Sequence, residues 1–561
     1  MYIPETVTMI RDNAFRGCIS LEKVVLPQNI TYIGNETFFN CSSLKEIVVP
    51  ENVQTVGARA FFGCTSLSKA EFASIEHLCR ISLGDTYSNP LSYARNLYIK
   101  GQKIDDLVIP ETVTEIGGST FVNCNLNSIC IPASVTKIGA GAFTGSTGLE
   151  IENDIYYADK WAVGKKIVDN SQEDAQCVLR DNTVGLADRI LEGTHYTTVM
   201  LPASVMYIGD VAFGGCASME NITLPENLKS LGMLAFINCT ALKSISIPGS
   251  VMTIHDGTFD YCTNLSEINL SEGLESIGNC LMGCTALTSF TIPSSVTEIS
   301  EWLFRECSTL QRLEVLCDFL PELSGCSQLK EIHLGNKITS IPDNAFANMG
   351  TLENVYLGEN VQSIGENAFI RCSGLTSINL PNSVTAVGES AFSECTALKS
   401  ITLSPNMTII SMRTFYRCLS LTDISIPEGV TAIDSYAFNG CNELISMELP
   451  STLSEIGRNA FSGCRKVVSI VSKNEIPPVC QRNAFQFSPD CVIQVPMESV
   501  ETYQTAYLWQ EYKIIGMETG IHSLYGGQSG NGQNIYDMTG RKVLHPKKGS
   551  IYIVNGKKVA Y

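Results

Sequence analysis

A 23-residue step runs through most of this 561-residue chain and restricts its fold more than any other feature. It is easiest to follow on a cysteine that trails an aromatic by three positions. In "AFRGCISLEKVVLPQNITYIGNETFFNC", Phe15 precedes Cys18 and Phe38 precedes Cys41. The column runs Cys18, Cys41 and Cys64, then Cys216, Cys239, Cys262, Cys284 and Cys307. After Cys326 it resumes at Cys372, Cys395, Cys418, Cys441 and Cys464, with Met349 in the slot between. Cys262 to Cys284 is a step of 22 and Cys307 to Cys326 one of 19; Cys124 and Ser146 mark two further copies. A fixed period between about 20 and 50 residues marks a solenoid.

Within one unit the apolar positions recur. From Leu44 they read Leu44, Ile47, Val49, Val53, Val56, Ala60, Phe61 and Cys64, punctuated by Pro50 and Gly57. "LKEIVVP" alternates as a short strand with one buried face, and Pro50, which has no N–H for a ladder, ends it. "VQTVG" reads as a second extended piece, and "ARAFFGC" as a returning turn too short for a stable helix. One unit cannot bury its own apolar side; stacked units can, each touching only its neighbours.

The pattern "LxxIxLPxxVTxIGxxAFxxC" resembles the BspA-like leucine-rich repeats of bacterial surface proteins, over roughly residues 1–470. The resemblance implies a right-handed leucine-rich-repeat solenoid of about 20 coils, mostly strand and coil, with a parallel sheet on its concave face and about 4.8 Å between stacked strands. Residues 68–109 and 150–198 lose the Phe-x-x-Cys step and are expected to be lengthened coils with a protruding loop or hairpin. Insertions of this kind map to one face of a solenoid, often the binding face.

Beyond Cys464 the period dissolves. Residues 471–516 are expected to cap the open end of the apolar stack. There "CVIQVP" reads as a last strand, and "SVETYQTAYLW" places Val500, Tyr503, Tyr507 and Trp509 on one helical face. Residues 517–533, including "GGQSGNGQ", read as a flexible linker. The tail 534–561 has two strand runs, "NIYDM" and "SIYIVNG", and is expected to form a small hairpin. It resembles the C-terminal segments of secreted proteins from Bacteroides-like anaerobes, which implies export with the tail as a sorting or anchoring module.

The composition excludes several function classes. Net charge is −19, and phosphate neutralisation needs clustered Lys and Arg, so no nucleic-acid partner is expected. No run of 18 apolar residues is present, so no transmembrane segment is expected. "MYIPETVTMI" opens in mid-repeat, matching "IPASVTKI" at 131–138, so a signal peptide is expected to have been lost with upstream sequence. Charged residues make up only 17% of the chain, which suits residues committed to ladders rather than to bulk water. The six histidines are scattered, with no H-E-x-x-H, G-x-S-x-G or phosphate-binding loop, so neither enzyme activity nor a cofactor is expected.

The cysteine column admits three chemistries. Structural zinc sites use close C-x2-4-C pairs, and these thiols are 23 apart. Stacked coils bring equivalent Cα atoms within disulfide range, but in-register Cβ vectors point the same way and a bridge would distort the coil. There remains a buried free thiol that packs and touches turn backbone, a role that Met349 and Ser146 in the same slot also fit. Cys480 and Cys491, off the column, bracket a short loop and could pair. Many free thiols in an exported protein suit an anaerobe.

One position is left for contact with a partner. The residue between the two core positions of each "LxxIxL" strand faces outward. It reads Thr223, Ser246, Asn269, Thr291, Glu314, His333, Tyr356, Asn379, Thr402, Ser425 and Glu448. Glu314, His333, Tyr356 and Asn379 are the candidate contact residues, because an exposed aromatic among polar groups suits a protein partner. The resemblance implies an extracellular or cell-surface protein, a monomer, adhering to proteins or other macromolecules on host or microbial surfaces. A structural spacer and a polysaccharide-binding module remain alternatives, the latter weakened by there being only three Trp.

Overall fold

The computed structural model describes residues 1–166 and 176–517, together with the strands Ile535–Tyr536, Ile551–Val554 and Lys557–Ala560. The chain is a leucine-rich-repeat solenoid of parallel sheets, divided into two compact units. The first is Met1–Ile341 with Met349–Val361, and the second is Pro342–Asn348 with Gln362–Tyr561.

A typical coil has a longer strand, a turn, a two-residue strand and a return. In the first unit Glu46–Val48 pairs in parallel with Lys69–Phe72, Ile47 opposite Ala70. Tyr32–Ile33 pairs with Thr55–Val56, which pairs with Ser82–Leu83. Ile47, Val49, Val53, Val56, Ala60, Phe61 and Cys64 are all fully buried, as the alternation requires.

The return is built on left-handed residues. The position before most column cysteines has positive φ: 71° at Gly17, 57° at Asn40 and 78° at Gly63. Glycine and asparagine take this conformation at least cost. The reversal lets alternate amides point at the next coil: Glu36 N–H donates to Ala58, Phe38 N–H to Ala60 and Asn40 N–H to Phe62, at 2.7–2.9 Å.

Inside the return the aromatics stack. Phe15, Phe38 and Phe61 have ring centroids 5.4 and 5.3 Å apart. In the second unit six rings, Phe346 through Phe369, Phe392, Phe415 and Phe438 to Phe461, stack at 5.0–5.8 Å. Offset stacking adds to the burial of the rings.

The period breaks have their own structure. Residues 68–109 hold two short helices, Ile75–Arg80 and Leu91–Ala94, and an antiparallel pair, Leu97–Ile99 with Gln102–Lys103. In 150–198 the strands Glu150–Glu152, Ile155–Ala158 and Trp161–Lys165 meander antiparallel before Trp161 rejoins the parallel ladder at Gly185. Residues 167–175 of that stretch lie outside the described residues.

The C-terminal end departs from expectation in two ways. "CVIQVP" is not the last strand: Val492–Pro496 pairs in parallel with Lys513–Met517 along its whole length. The helix is only Val500–Thr505, so Tyr507 is exposed and Trp509 reaches the core from a separate 3-10 turn. Apart from Met517, which closes that strand, the expected linker 517–533 lies outside the described residues. The tail has three strands where two were expected: Ile551–Val554 pairs antiparallel with both Ile535–Tyr536 and Lys557–Ala560.

Candidate binding face

All 22 cysteines are free thiols, Cys480 and Cys491 included. The column forms a ladder in which most thiols donate to a backbone carbonyl one coil upstream. Cys41 donates to Phe15, Cys64 to Phe38, Cys239 to Phe213 and Cys262 to Phe236, at 3.1–3.2 Å. Cys372, Cys395, Cys418, Cys441 and Cys464 repeat the contact in the second unit at 3.1–3.2 Å. Ser146 makes the same bond to Phe121 with its hydroxyl.

Some positions differ, Cys124 and Cys326 among them, which lack the bond. Cys18 is exposed rather than buried. Cys307 turns instead to Leu303 within its own coil, at 3.6 Å. Burial pushes the thiols up, to about 11 at Cys41 and about 12 at Cys64 and Cys464. A thiol so held is not a nucleophile near neutral pH. Among the described residues no three His, Cys, Asp or Glu side chains gather where they could hold a metal ion.

On the exposed face of the longer strands, three of the four candidate contact residues meet. Glu314 on Arg312–Val315 lies opposite His333 on Glu331–Leu334, and His333 lies opposite Tyr356 on Asn354–Tyr356. The His333 and Tyr356 rings stack with centroids 4.2 Å apart and 28° between planes. His333 Nε2–H donates to the Glu331 carboxylate, which also faces Arg312 Nε at 3.7 Å. Thr291 Oγ1 donates to Glu314 at 3.3 Å. The stack thus fixes an aromatic, 51% exposed at Tyr356, beside carboxylates already held by neighbours. Asn379 belongs to the second unit, where its amide oxygen accepts from Thr402 Oγ1 at 2.8 Å.

Sequence reasoning missed the earlier part of this column. Val108 lies opposite Cys130 and Val178 opposite Met200, all exposed, where the coils from Thr223 onward carry mostly polar residues. The irregular coils hide the period, but the residue before the strand-ending Ile-Pro or Leu-Pro marks it in "LVIP", "ICIP" and "VMLP". A cavity of about 480 Å³ opens where the inserted meander meets the coils at 140–144 and 188–194; Lys165, Lys166, Asp188 and Arg189 line it.

A solenoid of this repeat, with phenylalanine and thiol ladders inside, defines a leucine-rich-repeat protein. The model of the BspA type leucine rich repeat region matches residues 1–87, 72–150, 186–311, 322–418 and 365–492, and the chain belongs to that family. Among solved structures it is similar to a leucine-rich repeat protein from Bacteroides ovatus (20% identity, 92% of each chain, TM-score 0.29). It is also similar to a leucine rich cell surface protein from Faecalibacterium prausnitzii (24% identity, 58% of this chain and 94% of that one, TM-score 0.27). A third is the pneumococcal vaccine antigen PcpA (16% identity, 66% and 98%, TM-score 0.27). No curated protein matches the chain. Among the described residues no helix is long and apolar enough to cross a membrane.

Proposed function

We propose that this chain is a monomeric, non-catalytic, cell-surface or extracellular protein that adheres to a protein or other macromolecule on host or microbial surfaces. The observation that carries the reading is the stack of the exposed Tyr356 on the half-buried His333, set on a sheet. A preorganised aromatic loses little entropy on binding, and Tyr is among the residues that dominate interface energies. Glu314 extends the contact on the same face, and Asn379 contributes separately from the second unit. Family membership supports the location, and the tail at 534–561 is assigned the sorting or anchoring role.

The test is binding of the chain to immobilised extracellular-matrix proteins and to whole cells. Saturable binding weakened about tenfold or more by Tyr356→Ala supports the reading. Binding that is absent across a broad panel, or indifferent to Tyr356→Ala and His333→Ala, sinks it and leaves the spacer.

A further inference from the structure

The returns of three consecutive coils in the first unit expose apolar side chains among carboxylates, on different elements from the sheet face. The coils are neighbours by register, Thr253 opposite Ser276 and Ser276 opposite Glu298. Their returns present Tyr261, Met282 and Trp302. Tyr261 Oη donates to Met282 Sδ at 3.7 Å, and its ring covers Gly283, where an added Cβ would fall 2.7 Å from the ring. The Arg305 guanidinium lies 5.0 Å over the Trp302 ring. Trp302 is 55% exposed while Trp161 and Trp509 are buried, so an indole stands in water on a chain that otherwise hides its tryptophans.

The rim is acidic. Asp256, Glu301 and Glu306 are exposed around these returns, and Asp260 is nearly buried beneath them, accepting from Met282 N–H at 3.0 Å. Asp256 accepts from Asn279 N–H at 2.8 Å, whereas Glu301 and Glu306 make neither an ion pair nor a side-chain hydrogen bond. Burial, joined by the like charges of Asp256 and Glu306, raises Asp260 from its ordinary value.

We propose that Tyr261, Met282 and Trp302 with their carboxylate rim dock a basic, apolar-anchored segment of a protein partner. Trp, Tyr and Arg are the residues in which interface energy concentrates, and Met adapts to irregular apolar side chains. A Lys or Arg of the partner relieves the repulsion among the carboxylates, and charge complementarity of this kind speeds encounter and fixes register.

The experiment titrates the full chain with an amphipathic Leu–Lys peptide, and with its Leu–Glu counterpart, while acrylamide quenches tryptophan emission. Because Trp302 alone among the three is exposed, it supplies the quenchable signal, and Trp302→Phe identifies it. Saturable protection by the Leu–Lys peptide is expected, about tenfold weaker in Glu301→Gln/Glu306→Gln and in Tyr261→Ala. The charge-matched pair Glu498→Gln/Glu501→Gln in the second unit should leave it unchanged. Protection by both peptides or by neither, or equal weakening by the two carboxamide pairs, overturns the proposal. Self-association in sedimentation that is abolished by Trp302→Ala also overturns it, assigning the patch to a second copy.

Discussion

The Cys239 thiol donates to the Phe213 carbonyl 3.1 Å away, one coil upstream. That carbonyl already accepts the Cys216 amide of its own coil, so the thiol adds a second bond that ties one coil to the next. The cysteine thus joins packing to inter-coil bonding in one small side chain, and Ser146 shows that the slot accepts another donor.

Cys239→Ala should therefore lower the thermal midpoint, by a loss of about 1–2 kcal/mol for a buried hydrogen bond and its packing. Cys239→Ser keeps a donor but buries a hydroxyl in place of sulfur, and should cost about 1 kcal/mol. Both are checked by thermal unfolding under reducing conditions. Binding in either folded variant should match that of the parent chain; loss of binding without loss of fold would show that the column does more than pack.

Thiol labelling should read the same burial directly. Of the 22 free thiols only Cys18 and Cys130 are exposed. A thiol reagent at pH 8 should modify two cysteines quickly in the native chain and the other 20 only in denaturant. Mapping the fast sites by mass spectrometry checks the assignment, and rapid modification of Cys239 or Cys418 would contradict it.

How far the sequence could be read differs from residue to residue. The buried set Ile47, Val49, Val56, Phe61 and Cys64 follows from alternation alone, because each coil meets the same neighbours as the last. Cys18 has the same motif and is exposed, since a shared pattern does not record what packs against each copy. Lys513–Met517 pairs with Val492–Pro496 without any repeat signature, because the end of a stack is specified by shape rather than by period. The stacking of His333 on Tyr356 was only half legible: alternation placed both on the exposed face, but ring contact depends on rotamers. From the sequence Trp302 reads only as an isolated indole and Tyr261 carries no signal, because their returns sit at positions where neighbouring coils carry unrelated residues.

Alkaline pH should destabilise the fold through the thiol ladder. The folded values are raised, to about 11 at Cys41 and about 12 at Cys64 and Cys464, from the ordinary thiol value of about 9. Above that ordinary value the unfolded chain gives up thiol protons that the native chain keeps, so the unfolded state is favoured as pH rises. This stabilisation is complete below about pH 8 and is lost through the folded values, between about pH 9 and 12. Urea midpoints at pH 8, 9 and 10 should fall progressively, and less steeply in a Cys395→Ala/Cys418→Ala variant compared with its own midpoint at pH 8. An identical slope would place the alkaline loss elsewhere.

Trp509 should be the most sensitive single position in the C-terminal cap. Its ring is fully buried, edge-on to Phe485 at 4.7 Å and to Tyr503 at 5.1 Å, and Nε1–H donates to the Pro478 carbonyl at 3.0 Å. Phe485 in turn lies 6.3 Å from Phe461, the last of the stacked rings, so Trp509 closes the column. Trp509→Ala removes the ring and leaves a cavity, a change of about 3–5 kcal/mol in a buried core. Trp509→Phe keeps most of the apolar volume and loses the donor, so it should cost less. Because coils unfold from their ends in a stack with nearest-neighbour coupling, the damage should be local first. Hydrogen exchange should show early opening of 446–517 in Trp509→Ala, with the coils at 354–425 still protected. Uniform loss of protection across both stretches would mean that the cap is not a separable element.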